Sequence, residues 1–185
     1  MGHAVAEAAY KNGADVTLVT ASNLPASSGI ETIRVDSANE MYDEINQRFD
    51  ESDVLIMAAA VSDYRVANTA DSKMKKNDSS APVTIELIEN PDILKTMGSK
   101  KKNQFLVGFA AETDNLEVYA QKKLEEKHLN MIVANEVGQS DRGFNADENQ
   151  VIIFTVEGDR IEVPLTAKSE VANILVNKIA EELSK

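Results

Sequence analysis

In this chain of 185 residues, the side chains able to do chemistry gather where apolar runs end. The densest group spans residues 59–76. An apolar run closes in Ala58, Ala59 and Ala60 and passes into Ser62, Asp63, Tyr64 and Arg65. Ligands of open parallel sheets sit just beyond the carboxyl ends of strands, and alanines there let a flat base or a ribose approach the backbone. Asp63 can accept from hydroxyls or bind Mg²⁺; an exposed loop with a capping Asp uses the same residues. Lys73, Lys75 and Lys76 follow in one tetrapeptide. A lysine is a point charge on a flexible stem, suited to a triphosphate or a departing pyrophosphate. A solvated surface run has the same composition.

Further along, Asn90, Pro91, Asp92, Ile93 and Leu94 open a short helix whose free N–H groups offer an anion site, or a plain N-cap with Pro at the first helical position. Gly108 and Phe109 end another buried run. There glycine permits close backbone approach and the ring could stack on a base, or both serve strand-to-helix packing. Lys123 and Lys127 are four apart beside a helical apolar stripe of Leu116, Ala120 and Leu124. They converge on a phosphate or complement the helix dipole. Tyr119 and Lys123 also form the Tyr-x-x-x-Lys pair of short-chain dehydrogenases, which would imply NAD(P). His3 and His128 have no partner at metal-ligand spacing.

The elements that must hold these residues alternate in type. Residues 2–12 read as a helix stopped by Gly13, 16–19 and 30–35 as strands, and a helix capped by Ser37 carries the stripe Met41, Tyr42, Ile45 and Phe49. The continuous apolar run 54–60 is the mark of a strand covered on both faces. Strands follow at 83–88, 105–109 and 131–134, with a helix capped by Asp114 between the last two. Segments 151–156 and 160–163 pair around Gly158 as a hairpin, and 168–183 form a last helix. Alternation of this kind predicts one α/β domain over 1–185. Its Rossmann-like doubly wound sheet is mostly parallel, with a late antiparallel hairpin and a polar flap or arm at about 61–82. Such sheets open with a strand, and this chain opens with a helix, so the first strand is expected to lie before Met1.

Composition narrows the class. A net charge of -12 repels polyanions, so nucleic acid is not an expected partner. No cysteine is present, which rules out disulfides, thiolate nucleophiles and Cys-based zinc sites. No apolar run reaches membrane-spanning length and no signal peptide opens the chain, so a cytoplasmic location is expected.

Six segments in order then resemble a family: Ala-Ala-Val-Ser-Asp-Tyr-Arg at 59–65, Lys-Met-Lys-Lys at 73–76, Glu-Asn-Pro-Asp-Ile at 89–93, Val-Gly-Phe-Ala-Ala-Glu-Thr at 107–113, Ile-Val-Ala-Asn-Glu-Val at 132–137 and Gly-Phe-Asn-Ala-Asp at 143–147. The series is similar to bacterial phosphopantothenoylcysteine synthetase, commonly the C-terminal half of a bifunctional protein of coenzyme A biosynthesis. The resemblance implies that CTP activates 4'-phosphopantothenate as an acyl-cytidylate and that the amine of L-cysteine displaces CMP, with Mg²⁺ on the phosphates. It carries Ala59, Ala60, Asp63, Lys73, Pro91, Asp92, Ile93, Leu94, Phe109, Lys123 and Lys127 over as CTP contacts. Lys73 becomes the catalytic flap lysine. A homodimer is implied, as is a flavin-dependent decarboxylase upstream, with no flavin in this portion. The family's Asn-x-Ser-Ser-Gly-Lys-Met-Gly segment meets this chain only at Met1-Gly2, so its Asn is expected before Met1 and the chain alone is expected to have weak or no synthetase activity. A non-catalytic nucleotide-binding module is the remaining class.

Overall fold

The computed structural model describes residues 1–70, 72–73, 83–112, 116–136 and 147–185, with 112 and 136 described through their backbone alone. Asp114, Lys75, Lys76 and most of segment 143–147 lie outside these residues.

Helix α1 (Gly2–Lys11) gives way to the turn at Gly13, whose φ of +89° costs glycine nothing and an L side chain a great deal. Strands β1 (Thr17–Thr20) and β2 (Glu31–Arg34) pair in parallel. Helix α2 (Ala38–Arg48) starts on a full capping box: the Ser37 hydroxyl accepts from Glu40 N–H at 3.2 Å, and the Glu40 carboxylate accepts from Ser37 N–H at 3.2 Å. A 3₁₀ turn (Phe49–Glu51) leads into β3 (Val54–Met57). Strands β4 (Tyr64–Val66) and β5 (Leu87–Glu89) make an antiparallel ribbon. Then come α3 (Ile93–Lys100), β6 (Phe105–Glu112), α4 (Leu116–Glu126), β7 (Met131–Glu136), β8 (Glu148–Thr155), β9 (Arg160–Ala167) and α5 (Lys168–Leu183).

The main sheet runs β3-β6-β7-β8-β9, parallel across its first three strands and antiparallel across the last two ladders. The pleat sends alternate side chains to opposite faces. Leu106, Ala110, Ile132, Ala134 and Phe154 meet α2, α3 and α4 on one face. Phe105, Val107, Met131, Val133, Val151 and Ile153 meet α1 and α5 on the other. The expected mostly parallel α/β sheet with a late hairpin is therefore present, and its hairpin turns at Gly158 with φ +98°. Among the described residues no ladder joins β1 to β3, so the parallel strands form a pair and a five-stranded sheet.

Three local expectations change. The strand expected at 54–60 keeps its ladder only to Met57, paired with Gly108, which leaves Ala58 to Ala60 past the sheet's end. The strand expected at 83–88 is the short β5, displaced toward Glu89. Its partner β4 is also three residues long, and Val83, Ile85 and Leu87 are exposed among the described residues. Pro91 is not the first helical residue, because Asp92 in extended conformation is the N-cap and puts Pro91 one residue outside. No helix of the described residues is long and apolar enough to cross a membrane.

Candidate functional site

A cleft of about 390 Å³ opens beyond the carboxyl ends of β3 and β6. Its floor is Met57, Ala59 and Phe109; one wall is the β4–β5 ribbon from Val61 to Tyr64 and at Glu89; the other is the start of α3 with Lys127. Parallel strands collect their ligands at this end because their loops and the helix N-termini meet there.

Asn90 fixes the ribbon to the cleft. Its N–H donates to the Asp63 carbonyl at 2.8 Å and its side-chain amide to the Ser62 carbonyl at 2.8 Å. Arg65 donates to the Glu89 carbonyl at 2.6 Å and to the Asn90 side-chain oxygen at 3.2 Å. The backbone at Ser62 and Asp63 is thus held by two donors of Asn90, whose side chain Arg65 holds in turn, while the Asp63 side chain stays exposed at the cleft rim.

At the opposite wall Asp92 serves two partners. One carboxylate oxygen accepts from Lys95 N–H at 3.0 Å and so caps α3; the other lies 2.9 Å from the Lys127 ammonium. Burial pushes the Asp92 carboxyl up, but the bonds from Lys127 and from the Lys95 amide outweigh it and hold the group below its ordinary value. Ile93 and Leu94, the first helical residues, are buried against the core behind this wall. A Cβ at Gly108 would meet Leu94 Cδ2 at 2.8 Å and Leu129 Cδ1 at 2.9 Å. The open space that Gly108 was expected to leave for a base is filled by these leucines.

Of the residues expected at a nucleotide site, the structure gathers Ala59, Asp63, Pro91, Asp92, Ile93, Leu94, Phe109 and Lys127 into the cleft. Ala60, Lys73 and Lys123 lie outside its lining. Lys73 is exposed and Lys123 sits one turn before Lys127 on α4. Tyr119 is 44% exposed, and neither it nor Lys123 is among the residues that line the cleft. Residues that sequence reasoning left out include Tyr64 and Glu89, which face each other across the ribbon ladder. Both lie inside segments singled out in the sequence, 59–65 and 89–93, and the pairing of β4 with β5 is what brings them together. Among the described residues no group of three or more acidic or His side chains could by itself hold a metal. Mg²⁺ commonly needs only one or two carboxylates plus substrate phosphates, and Asp63 on the rim fits that mode.

The DNA/pantothenate metabolism flavoprotein C-terminal domain family matches residues 1–183. The chain is 41% identical over 181 residues to the coenzyme A biosynthesis bifunctional protein CoaBC of Vibrio vulnificus (strain YJ016), covering 97% of this chain and 45% of that protein. It is 44% identical over 182 residues to the protein of the same name from Bacillus subtilis (strain 168), covering 97% and 44%. The chain therefore spans less than half the length of these curated relatives. Among solved structures, the C-terminal domain of a coenzyme A biosynthesis bifunctional protein CoaBC superposes with a TM-score of 0.83 at 39% identity, over 99% of this chain and 82% of that one.

Proposed function

The chain belongs to the DNA/pantothenate metabolism flavoprotein C-terminal domain family, and from that membership we propose that it is a phosphopantothenate–cysteine ligase of coenzyme A biosynthesis that draws on CTP. The observation that carries this reading is the cleft itself. A wall bearing Asp63, an opposed wall of Lys127 beside a helix start, and Phe109 on the floor suit a base, a ribose and a phosphate chain in that space.

A carboxylate does not react with an amine at neutral pH, so ligation needs an activated acyl group. In the proposed first step a carboxylate oxygen of 4'-phosphopantothenate attacks the α-phosphate of CTP; the bond from the α-phosphate to its bridging oxygen breaks and pyrophosphate leaves. In the second, the cysteine nitrogen attacks the acyl carbon, the carbon–phosphate oxygen bond breaks, CMP departs and the amine loses a proton. Lys127 stabilises negative charge on the phosphates from the α3 wall, and Lys73 does so from the arm beyond β4. Asp63 would hold Mg²⁺, which supplies further charge neutralisation on the phosphate oxygens.

The ribbon supports a homodimer. Tyr64, Val66, Leu87 and Ile88 are large apolar side chains exposed on a two-stranded arm, an arrangement that is stable when covered. The word bifunctional in the relatives' name supports a second activity on a longer polypeptide, which we take to be the flavin-dependent decarboxylase, working in the cytoplasm.

The order of product release tests the scheme. Pyrophosphate should form from CTP when 4'-phosphopantothenate is present and cysteine is not, and CMP should appear only once L-cysteine is added. Pyrophosphate release that needs cysteine would contradict an acyl-cytidylate.

A further inference from the structure

Lys127 stands where helix α4 ends, its N–H donating to the Lys123 carbonyl at 3.1 Å, and the turn that follows it lies against the far end of α3. Helix α4 closes in a Schellman turn: Leu129 N–H donates to the Leu124 carbonyl at 2.9 Å and His128 N–H to the Glu125 carbonyl at 3.2 Å. The residue at the left-handed position of such a turn is usually glycine, yet here it is His128 with φ +52°. A non-glycine residue stays in that region only where its surroundings fix it. Two features of α3 do so. A Cβ built at Gly98 would overlap the Lys127 carbonyl oxygen, so the missing side chain is what lets the turn seat on the helix. Lys101, the residue just after α3, donates from its ammonium to the His128 carbonyl at 2.7 Å and to the Asn130 side-chain oxygen at 2.8 Å. That Asn130 oxygen also accepts from Leu106 N–H at 3.0 Å, which ties the turn to the start of β6.

We propose that Lys101, with Gly98, is a positioning element for Lys127: it clamps the turn after α4 onto the end of α3 so that the Lys127 ammonium is delivered to the start of the same helix, at Asp92. One eight-residue helix thereby fixes both the backbone and the charge of the cleft lysine. Lys101 is not among the residues that line the cleft, and it acts on a bound anion by where it puts Lys127. The proposal rests on the reading of Lys127 as a nucleotide contact.

The test uses the whole chain and the substitution Lys101→Met, which keeps most of the apolar stem and removes the donor. Lys102→Met is the control, since Lys102 is exposed and only 3.8 Å from Asp50. Two readouts are taken. Calorimetric titration with CTP and Mg²⁺ should show binding weakened about tenfold by Lys101→Met, unchanged by Lys102→Met, and not weakened further when Lys101→Met is added to Lys127→Ala; a coupling of that size is typical of residues acting through one another. Nuclear magnetic resonance titration of the free protein should show the Asp92 carboxyl rising in Lys101→Met as Lys127 moves away. A purely structural role would lower the melting temperature, leave Asp92 where it is and add fully to Lys127→Ala; that pattern overturns the proposal while leaving CTP binding in place. A folded wild-type chain that binds no CTP overturns the functional reading instead, and the Asp92 titration then decides the positioning claim on its own: a rise supports it and no change overturns it.

Discussion

The Lys127 ammonium lies 2.9 Å from the same Asp92 carboxylate that caps helix α3. One acidic side chain therefore sets a helix start and holds the cation beside it on the same wall of the cleft. The pairing leaves Lys127 partly desolvated, with 26% of its side chain exposed.

Asp92→Asn separates these roles. Asparagine caps about as well as aspartate, so α3 should persist and the melting temperature should change by less than in Asp92→Ala. The folded pKa of Asp92 is depressed, so the stability it contributes is present above its unfolded pKa and is lost as pH falls through the folded value. Melting curves of wild type and Asp92→Asn should differ near neutral pH and converge in acid. The gap should stay below about 1 kcal/mol because the pair is partly exposed. A gap that widens in acid would show the opposite linkage.

Gly108→Ala should destabilise by about 1–3 kcal/mol, since the new methyl meets Leu94 and Leu129 below van der Waals distance. Leu94 also lines the cleft, so nucleotide affinity should fall with stability. Chemical denaturation and ligand titration on one preparation check both.

Ser37→Ala supplies the contrast. It removes the capping box of α2 and should cost about 1 kcal/mol of unfolding free energy. No residue of α2 lines the cleft, so affinity should not change.

Lys73→Ala, made in the full-length bifunctional polypeptide proposed above, should lower turnover by roughly a hundredfold, in line with the loss of one charge-stabilising donor, while the melting temperature stays put because the side chain is exposed. Steady-state rates of pyrophosphate release beside a thermal melt decide it; equal rates would remove Lys73 from the chemistry.

Much of this was legible in the residues. The 3.6-residue stripe of α2, its Ser37 cap and the stops at Gly13 and Gly158 are local signals, and the structure follows them closely. The apolar runs that became β3, β6 and β7 announced a sheet covered on both faces. What could not be seen was set by partners distant in sequence. The ribbon at Tyr64 and Glu89 depends on two short segments more than twenty residues apart, of which only the second, overlapping the strand read at 83–88, carries a strand pattern of its own. Gly108 suggested room for a ligand, but the side chains that fill that room come from α3 and from the turn after α4. The closeness of Lys127 to Asp92 likewise depends on the seating of one helix against another, which no spacing along the chain encodes.

The central claim is that the cleft between Asp63 and Lys127 takes a cytidine triphosphate. Its most direct measurement is calorimetric titration of the folded chain with CTP and with ATP, each with Mg²⁺, in wild type and Lys127→Ala. The account predicts saturable binding of CTP, markedly weaker binding of ATP, and loss of most CTP affinity in Lys127→Ala. No saturable binding of CTP, or CTP binding untouched by Lys127→Ala, would contradict it.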